Sequence, residues 1–375
     1  MKIIRIGEPR VIMSNPESHH DYFGWPTAVR LKNNKIAVVA SGFRLRHVCP
    51  FGKTVISYSE DEGETYTLPA PVIDTVLDDR DGGIMTFGER GVIVTSFNNT
   101  VNFQREQIPS TSSITRHMRE VNNKSSYDLA YLDTISEEEE EAALGASFRM
   151  SFDHGVTFGE RFKSPITSPH GPIELPDGTI LWVGRTFSAE NKHRVNVDRI
   201  EAHRVNLDGS MEFLGAVEDI VDNGEIALSC EPHAIPLDDG SILAHIRVQS
   251  KTEDPLFTIY QSRSTDGGKT WSKPRMLLSR LGGSPPHILK TSTGLLVCTY
   301  GHRKEPYGIR AMISSDGGES WETDLDICAV SAPTGDLGYP STVELSDGSF
   351  ITVYYAHQKL GDSALIMQQR WRIEE

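Results

Sequence analysis

No apolar run in this 375-residue chain is long enough to span a membrane, so no transmembrane helix is expected. The first residues, Met1-Lys2-Ile3-Ile4-Arg5-Ile6-Gly7, carry no apolar signal core. Cysteine is scarce. Cys49, Cys230, Cys298 and Cys328 have neither metal-ligand spacing nor a disulfide framework. These features set the expectation of a cytoplasmic protein with free thiols. Basic residues are in deficit: 37 Lys and Arg stand against 52 Asp and Glu, a formal charge of −15. Such a chain repels polyanions overall, which argues against a nucleic-acid partner and leaves room for a local basic site. Long helical periods are few, whereas glycine (32) and proline (20) are plentiful. That balance points to strands and turns.

Four segments repeat one pattern, Ser-x-Asp-x-Gly-x-Thr/Ser-aromatic. They run Ser59–Tyr66, Ser151–Phe158, Ser264–Trp271 and Ser314–Trp321. Each follows strand-forming residues and has hairpin-turn chemistry. The Asp bonds its own backbone, and the Gly reaches positive φ. They read as turns that staple outer strands, not as binding loops.

A second repeat has the form x-Pro-x-apolar-apolar-x-Leu-x-x-Gly-x-apolar-apolar. Clear copies begin at Trp25-Pro26, Glu231-Pro232, Pro285-Pro286 and Tyr339-Pro340, and weaker ones at Asp81 and Pro169. The last three copies are spaced 54 residues apart. Each reads as a strand, a polar turn and an apolar strand. Four-stranded blades need roughly 40–50 residues, so six units fit the length. The expected fold is all-β, a six-bladed β-propeller of four-stranded antiparallel blades in a single domain over residues 1–375.

Residues 99–146 break the pattern. This polar stretch holds Arg105, Arg116, Arg119 and the run Glu137–Glu141. It reads as an insertion in the third unit and as a solvated excursion, with a helix near 136–144 capped by Ser136.

Aligning the six units puts Trp25, Asp81, Pro169, Glu231, Pro285 and Tyr339 in one column, just before each inner strand. Inner strands surround the propeller axis, so Asp81, Glu231 and Tyr339 are expected in one funnel. Two carboxylates and a phenol there suit glycoside cleavage: a proton donor, a base and a nucleophile. His233 and His287 occupy the next column, and His170 lies one residue off it. With Trp25 they are candidate substrate contacts.

The chain resembles the sialidase superfamily over nearly its whole length. The resemblance rests on the four Asp-boxes and on Glu231-Pro232, Leu237 and Gly240 followed by Arg247. It implies that Glu231 serves as base to a nucleophilic Tyr339 and that Arg247 binds a substrate carboxylate. A second carboxylate-binding arginine is implied in the fifth blade, where Arg310 fits first and Arg303 second. Two positions depart from the family. Gly24-Trp25-Pro26 stands where an Arg-Ile-Pro is usual, and the loop Arg44–Lys53 contains no acid. Arg44 or Arg46 then replaces the lost arginine, and Asp81, Asp79 or His47 supplies the acid. A tyrosine nucleophile suits an anionic substrate, so an acidic sugar, sialic or uronic, is the expected partner.

Two rival readings come from other classes. A propeller polysaccharide lyase would abstract a proton with histidine, with Tyr339 as acid. A catalytically dead propeller would bind glycans without turnover. His170, His233, His287 and His302 are compatible with a transition metal. Because His233 and His287 follow prolines in a repeat, backbone bonding is the plainer role, and neither metal nor cofactor is expected.

Overall fold

The structure is a computed structural model. It describes residues 1–374 except 111–124, 188–198, 331–333 and 360. Six antiparallel sheets form the blades of a propeller. Blade 1 runs outward through Tyr22–Arg30, Ile36–Arg44, Lys53–Ser59 and Ala70–Ile73. Blade 2 comprises Arg80–Phe87, Gly91–Phe97, Ala146–Ser151 and Arg161–Ser164. In blade 3 the inner strand is split into Ile166–Thr167 and Ile173–Glu174. Both pieces pair with Ile180–Thr186, followed by Ile200–Val205 and Met211–Ala216. Blade 4 is Leu228–Pro236, Ile242–Gln249, Phe257–Ser264 and Arg275–Met276, and blade 5 is Pro286–Lys290, Leu296–His302, Gly308–Ser314 and Glu322–Ala329. Blade 6 takes Gly338–Glu344, Phe350–His357 and Ala364–Glu374. Its outer strand is the N-terminal Lys2–Met13, so the two ends of the chain close the ring.

The strands read as continuous apolar runs because each blade is covered on both faces by its neighbours. Val39, Ile56, Ile84 and Val94 fill the space between blades 1 and 2. Phe148, Met150, Ile166 and Trp182 do the same between blades 2 and 3.

The four Ser-x-Asp-x-Gly turns join third to fourth strands at the rim and share one network. The Ser hydroxyl donates to the Asp Oδ1 at 2.7–2.9 Å and accepts from the Gly N–H at 2.8–2.9 Å. The Thr or Ser two residues after that Gly donates its N–H and hydroxyl to the same carboxylate. These bonds favour the charged carboxylate and hold Asp61, Asp153 and Asp266 down at about 2. The Gly is obligatory: Gly63 and Gly155 both sit at φ +81°, a left-handed conformation a side chain resists.

Two expectations need correction. The irregular stretch falls in the second unit, because Gly91–Phe97 pairs directly with Ala146–Ser151 and the chain between them leaves blade 2. Nor is it a solvated excursion. It holds helices α1 (Val101–Ser110), α2 (Ser125–Leu132) and α3 (Glu137–Ala143). Val101, Ile108, Leu132 and Ala143 pack on Val48 and Leu77. Arg46 and Asp128, both fully buried, form an ion pair that ties α2 to blade 1. Ser136 caps α3 in a capping box with Glu139, as its sequence predicts. Arg116 and Arg119 lie outside the described residues. All four cysteines are buried and none is in a disulfide. Among the described residues no helix is long and apolar enough to cross a membrane.

Candidate active site

The predicted column is a structural one: Pro285 stands just before its inner strand and Pro169 between the two pieces of its own, whereas Trp25, Asp81, Glu231 and Tyr339 lie inside theirs. Trp25, Asp81, Glu231 and Tyr339 have φ of 55°, 45°, 49° and 47°. At each, the pairing register slips against the second strand, so each sits on a β-bulge. A left-handed conformation at four bulky residues is strained, and a bulge re-aims its side chain. Here the strain turns four side chains toward the space around the axis.

Tyr339, Glu231 and Asp81 line one cavity of about 820 Å³ together with His47. The Tyr339 hydroxyl donates to Glu231 Oε1 at 2.6 Å. Arg247 Nη1 donates to Glu231 Oε2 at 2.7 Å and lies 3.4 Å from the Tyr339 oxygen. Arg247 Nη2 donates to Gln249 Oε1 at 2.6 Å. Burial acts to raise the Glu231 carboxyl. Arg247, the Tyr339 hydrogen bond and Arg303 overcome it and hold the group below its ordinary value. Glu231 is therefore ionised at neutral pH and ready to accept a proton.

Tyr339 moves the other way. Burial, then Glu231 and Asp81, push its phenol well above 10, against the pull of Arg247 and Arg303. The arginines do not ionise it. The resting pair is a neutral phenol donating to a carboxylate. Burial raises Asp81 to about 7, opposed by Arg80 and assisted by Glu231. Its Oδ1 is buried, with no hydrogen-bond partner among the described residues. Asp81 thus combines a near-neutral pKa with a place on the cavity wall, as a general acid requires. Asp79 is also raised to about 7 by burial, but it is occupied: Thr75 and Asn98 bind both its oxygens. It buttresses the base of the inserted segment and does not line the cavity.

His47 faces the cavity from blade 1. Its Nδ1 lies 3.3 Å from the Tyr22 hydroxyl and 3.4 Å from Asp336 Oδ1. Asp336 also accepts from the hydroxyls of Tyr22 and Tyr355 and contacts His357 Nε2 at 3.0 Å. Burial lowers the His47 imidazole although Asp336 pulls it up.

Several predicted contacts are not brought to the cavity. Trp25 is 1% exposed and forms the packing beneath it, under the guanidinium of Arg80 at 4.1 Å and edge-on to His47. Arg44 is fully buried and neutralised by Asp78 at 2.6 Å, so it replaces no lost arginine; Arg46 is spent on Asp128. Arg310 points to the rim, paired with Asp324 and Asp326 at 3.0 and 3.2 Å. Arg303 holds the inner place instead. Its guanidinium lies 5.5 Å from the Tyr339 ring centroid, and its buried Nε and Nη2 have no hydrogen-bond partner among the described residues. Arg247 is turned onto Glu231 and does not line the cavity.

His170, His233 and His287 pack against one another on the axis, with ring centroids 4.6–5.2 Å apart. His233 and His287 accept backbone N–H groups of Ile288 and Thr342, and His170 contacts the Thr27 hydroxyl. Burial drives His233 down to about 3. His302 contacts the Pro306 carbonyl at 3.0 Å. Burial keeps His170, His233 and His287 neutral, and their role is structural.

Sequence reasoning missed three cations on the wall: Arg80, Arg185 and Lys251. A signal was present. Arg44, Arg185, Arg247 and Arg303 all stand within about two residues of a second-strand end, so four of six blades offer an arginine near the same place. The inserted segment was missed as well. Asn99, Thr100, Phe103 and Gln107 of its first helical turns form part of the cavity wall.

The fold is a sialidase-like six-bladed propeller. The BNR repeat-like domain family matches residues 122–352, more than half of the chain, and the chain belongs to that family. No curated protein matches it. A protein of unknown function from Dyadobacter fermentans is similar in structure, with TM-score 0.75 and 18% identity over 99% of both chains. The Hadza microbial sialidase Hz136 superposes at TM-score 0.65 and 13% identity, over 96% of this chain and 68% of that one. An α-L-arabinanase from Penicillium chrysogenum gives TM-score 0.61 and 15% identity over 98% of both chains. At these identities the likeness is one of fold.

Proposed function

We propose that the protein is a glycoside-cleaving enzyme acting on an acidic sugar, with Tyr339 as nucleophile, Glu231 as its base and Asp81 as general acid. The observation that carries this reading is the 2.6 Å hydrogen bond from Tyr339 to an ionised Glu231 held by Arg247. In the first step the Tyr339 oxygen bonds to the anomeric carbon while Glu231 takes the phenolic proton. The glycosidic C–O bond breaks as Asp81 delivers its proton to the leaving oxygen. In the second step water attacks the same carbon and the bond from that carbon to the Tyr339 oxygen breaks. Asp81, now a carboxylate, takes the water proton, and Glu231 returns its proton to Tyr339. Each exchange leaves the site as it began.

A neutral phenol suits an anionic substrate better than a carboxylate nucleophile, which would repel it. Arg80, Arg185 and Lys251 line the cavity, and because Asp78 faces both Arg44 and Arg80 one carboxylate balances two guanidiniums there, which leaves a positive field for such a substrate in a protein of net charge −15. The sialidase and arabinanase relatives are carbohydrate-cleaving by name, which supports a carbohydrate ligand. The test is a panel of aryl glycosides of sialic, uronic and neutral sugars, with uronate oligosaccharides alongside. Released phenol from an acidic glycoside is the expected result. Unsaturated product absorbing in the ultraviolet would move the chemistry to elimination, and binding without turnover would make the propeller a lectin.

A further inference from the structure

A second cavity of about 570 Å³ adjoins the first, and four residues, Arg185, Leu228, Gln249 and Lys251, line both. Its lining is different in kind. Ile226, Leu228, Pro255, Leu256, Phe257 and Leu281 make it largely apolar. A small hairpin, Val221–Asp222 paired with Glu225–Ile226, forms one side and turns on Asn223-Gly224 at positive φ. The hairpin is pinned. Arg280 donates to both oxygens of Asp222 at 3.0 Å, and Ser250 donates to it at 2.8 Å. Ile226 nevertheless stays 43% exposed. It adds an apolar edge to a cavity already walled by Leu228, Leu256 and Phe257.

The lobe is tied to the chemistry by its back wall. Phe257 lies under the Arg247 guanidinium at 4.8 Å, and Arg303 sits 5.5 Å from the ring centroids of both Phe257 and Tyr339. Leu228 pairs with Gln249, the residue that holds Arg247 on Glu231, so the shared rim lies three residues along the strand from the base. The shared rim joins the cavity that holds Tyr339 to the lobe.

We infer that this lobe is the leaving-group site and that the leaving group it takes is apolar, an alkyl or aryl aglycone in preference to a second sugar. This inference rests on the glycosidase reading. A sugar would need donors and acceptors along its whole edge. Much of the polar lining is engaged within the protein: Asp222 accepts from Arg280, Ser250 and Thr252, and Gln249 accepts from Arg247, with Glu225 and the cations Arg185 and Lys251 at the rim. The apolar wall instead rewards each methylene it covers.

The experiment takes the acidic sugar turned over best in the panel, as its methyl, butyl and octyl glycosides, and measures KM for each. KM is expected to fall about three- to fourfold per methylene until the lobe is filled. Ile226→Asn, which changes polarity without adding charge, should flatten that dependence. A KM independent of chain length, or one that Ile226→Asn leaves steep, would overturn the inference. If no glycoside is turned over, the glycosidase reading fails and the lobe is still tested. The anionic apolar dye 8-anilinonaphthalene-1-sulfonate should bind the wild-type protein, with at least tenfold weaker binding to Ile226→Asn. Equal dye affinity in two folded proteins would remove the apolar site altogether.

Discussion

Replacing Tyr339 by Phe separates the chemistry of the site from its stability. The change removes one oxygen, whose proton goes to Glu231 at 2.6 Å. A hydrogen bond to a charged group contributes about 1.5–3 kcal/mol net. Glu231 keeps Arg247 at 2.7 Å, so the loss falls at the low end. The ring still packs against Trp25 and Tyr355, and the melting temperature drops by roughly 2–4 °C. Turnover should fall about a thousandfold or more, because no other group stands at the bulge to attack the anomeric carbon. Glu231→Gln should cost nearly as much activity, since it leaves a neutral phenol without a base. It also strips Arg247 of its counter-charge and destabilises by up to about 3–5 kcal/mol. Groups that act as a unit lose activity once, so the double variant should be little worse than either single one. The assay is steady-state turnover of the best aryl glycoside, with melting followed by circular dichroism. Multiplicative losses, or full turnover by Tyr339→Phe, would refute the pairing.

Three further outcomes are expected. With Asp81 raised to about 7, kcat/KM should fall as pH rises through about 7, where the acid loses its proton; Asp81→Asn should abolish that limb and harm substrates with poor leaving groups most. Asp79 has a folded pKa of about 7, above its unfolded value, so its stabilising contribution is whole below the unfolded pKa and is lost as pH rises through about 7; the melting temperature of Asp79→Asn relative to wild type should therefore climb between pH 5 and pH 8. Arg46→Met should cost about 3–5 kcal/mol in denaturant unfolding by stranding Asp128, and adding Asp128→Leu should recover most of it.

Much of the fold was legible because its signals are local. The Ser-x-Asp-x-Gly turns satisfy their own hydrogen bonds within a few residues, so their chemistry is complete in the sequence. The capping box at Ser136 is local in the same way. The column holding Asp81, Glu231 and Tyr339 could be aligned because every blade repeats one strand–turn–strand register. The histidines were harder. They occupy repeat positions one step beyond the bulge, and strand alternation turns them inward onto one another and onto backbone N–H groups.

The arginines mark where local reading stops. Arg44, Arg185, Arg247 and Arg303 occupy equivalent places near second-strand ends, yet each does something different. Arg44 is cancelled by Asp78, and Arg247 is drawn to Glu231. Arg185 reaches the cavity, while Arg303 lies against the Tyr339 ring. Arg310, on the next strand out, is captured by Asp324 and Asp326. The inserted segment likewise reads as polar, but three of its helices fold back onto blade 1, and α1 becomes part of the cavity wall. The sequence by itself determined the repeat, the turns and the column of three reactive side chains, since each depends on neighbours along the chain. Only the tertiary structure decided which charges remain for a ligand. A charge is neutralised by whatever lies within a few ångströms, and here those partners come from different strands and blades, such as Tyr339 and Glu231, 108 residues apart.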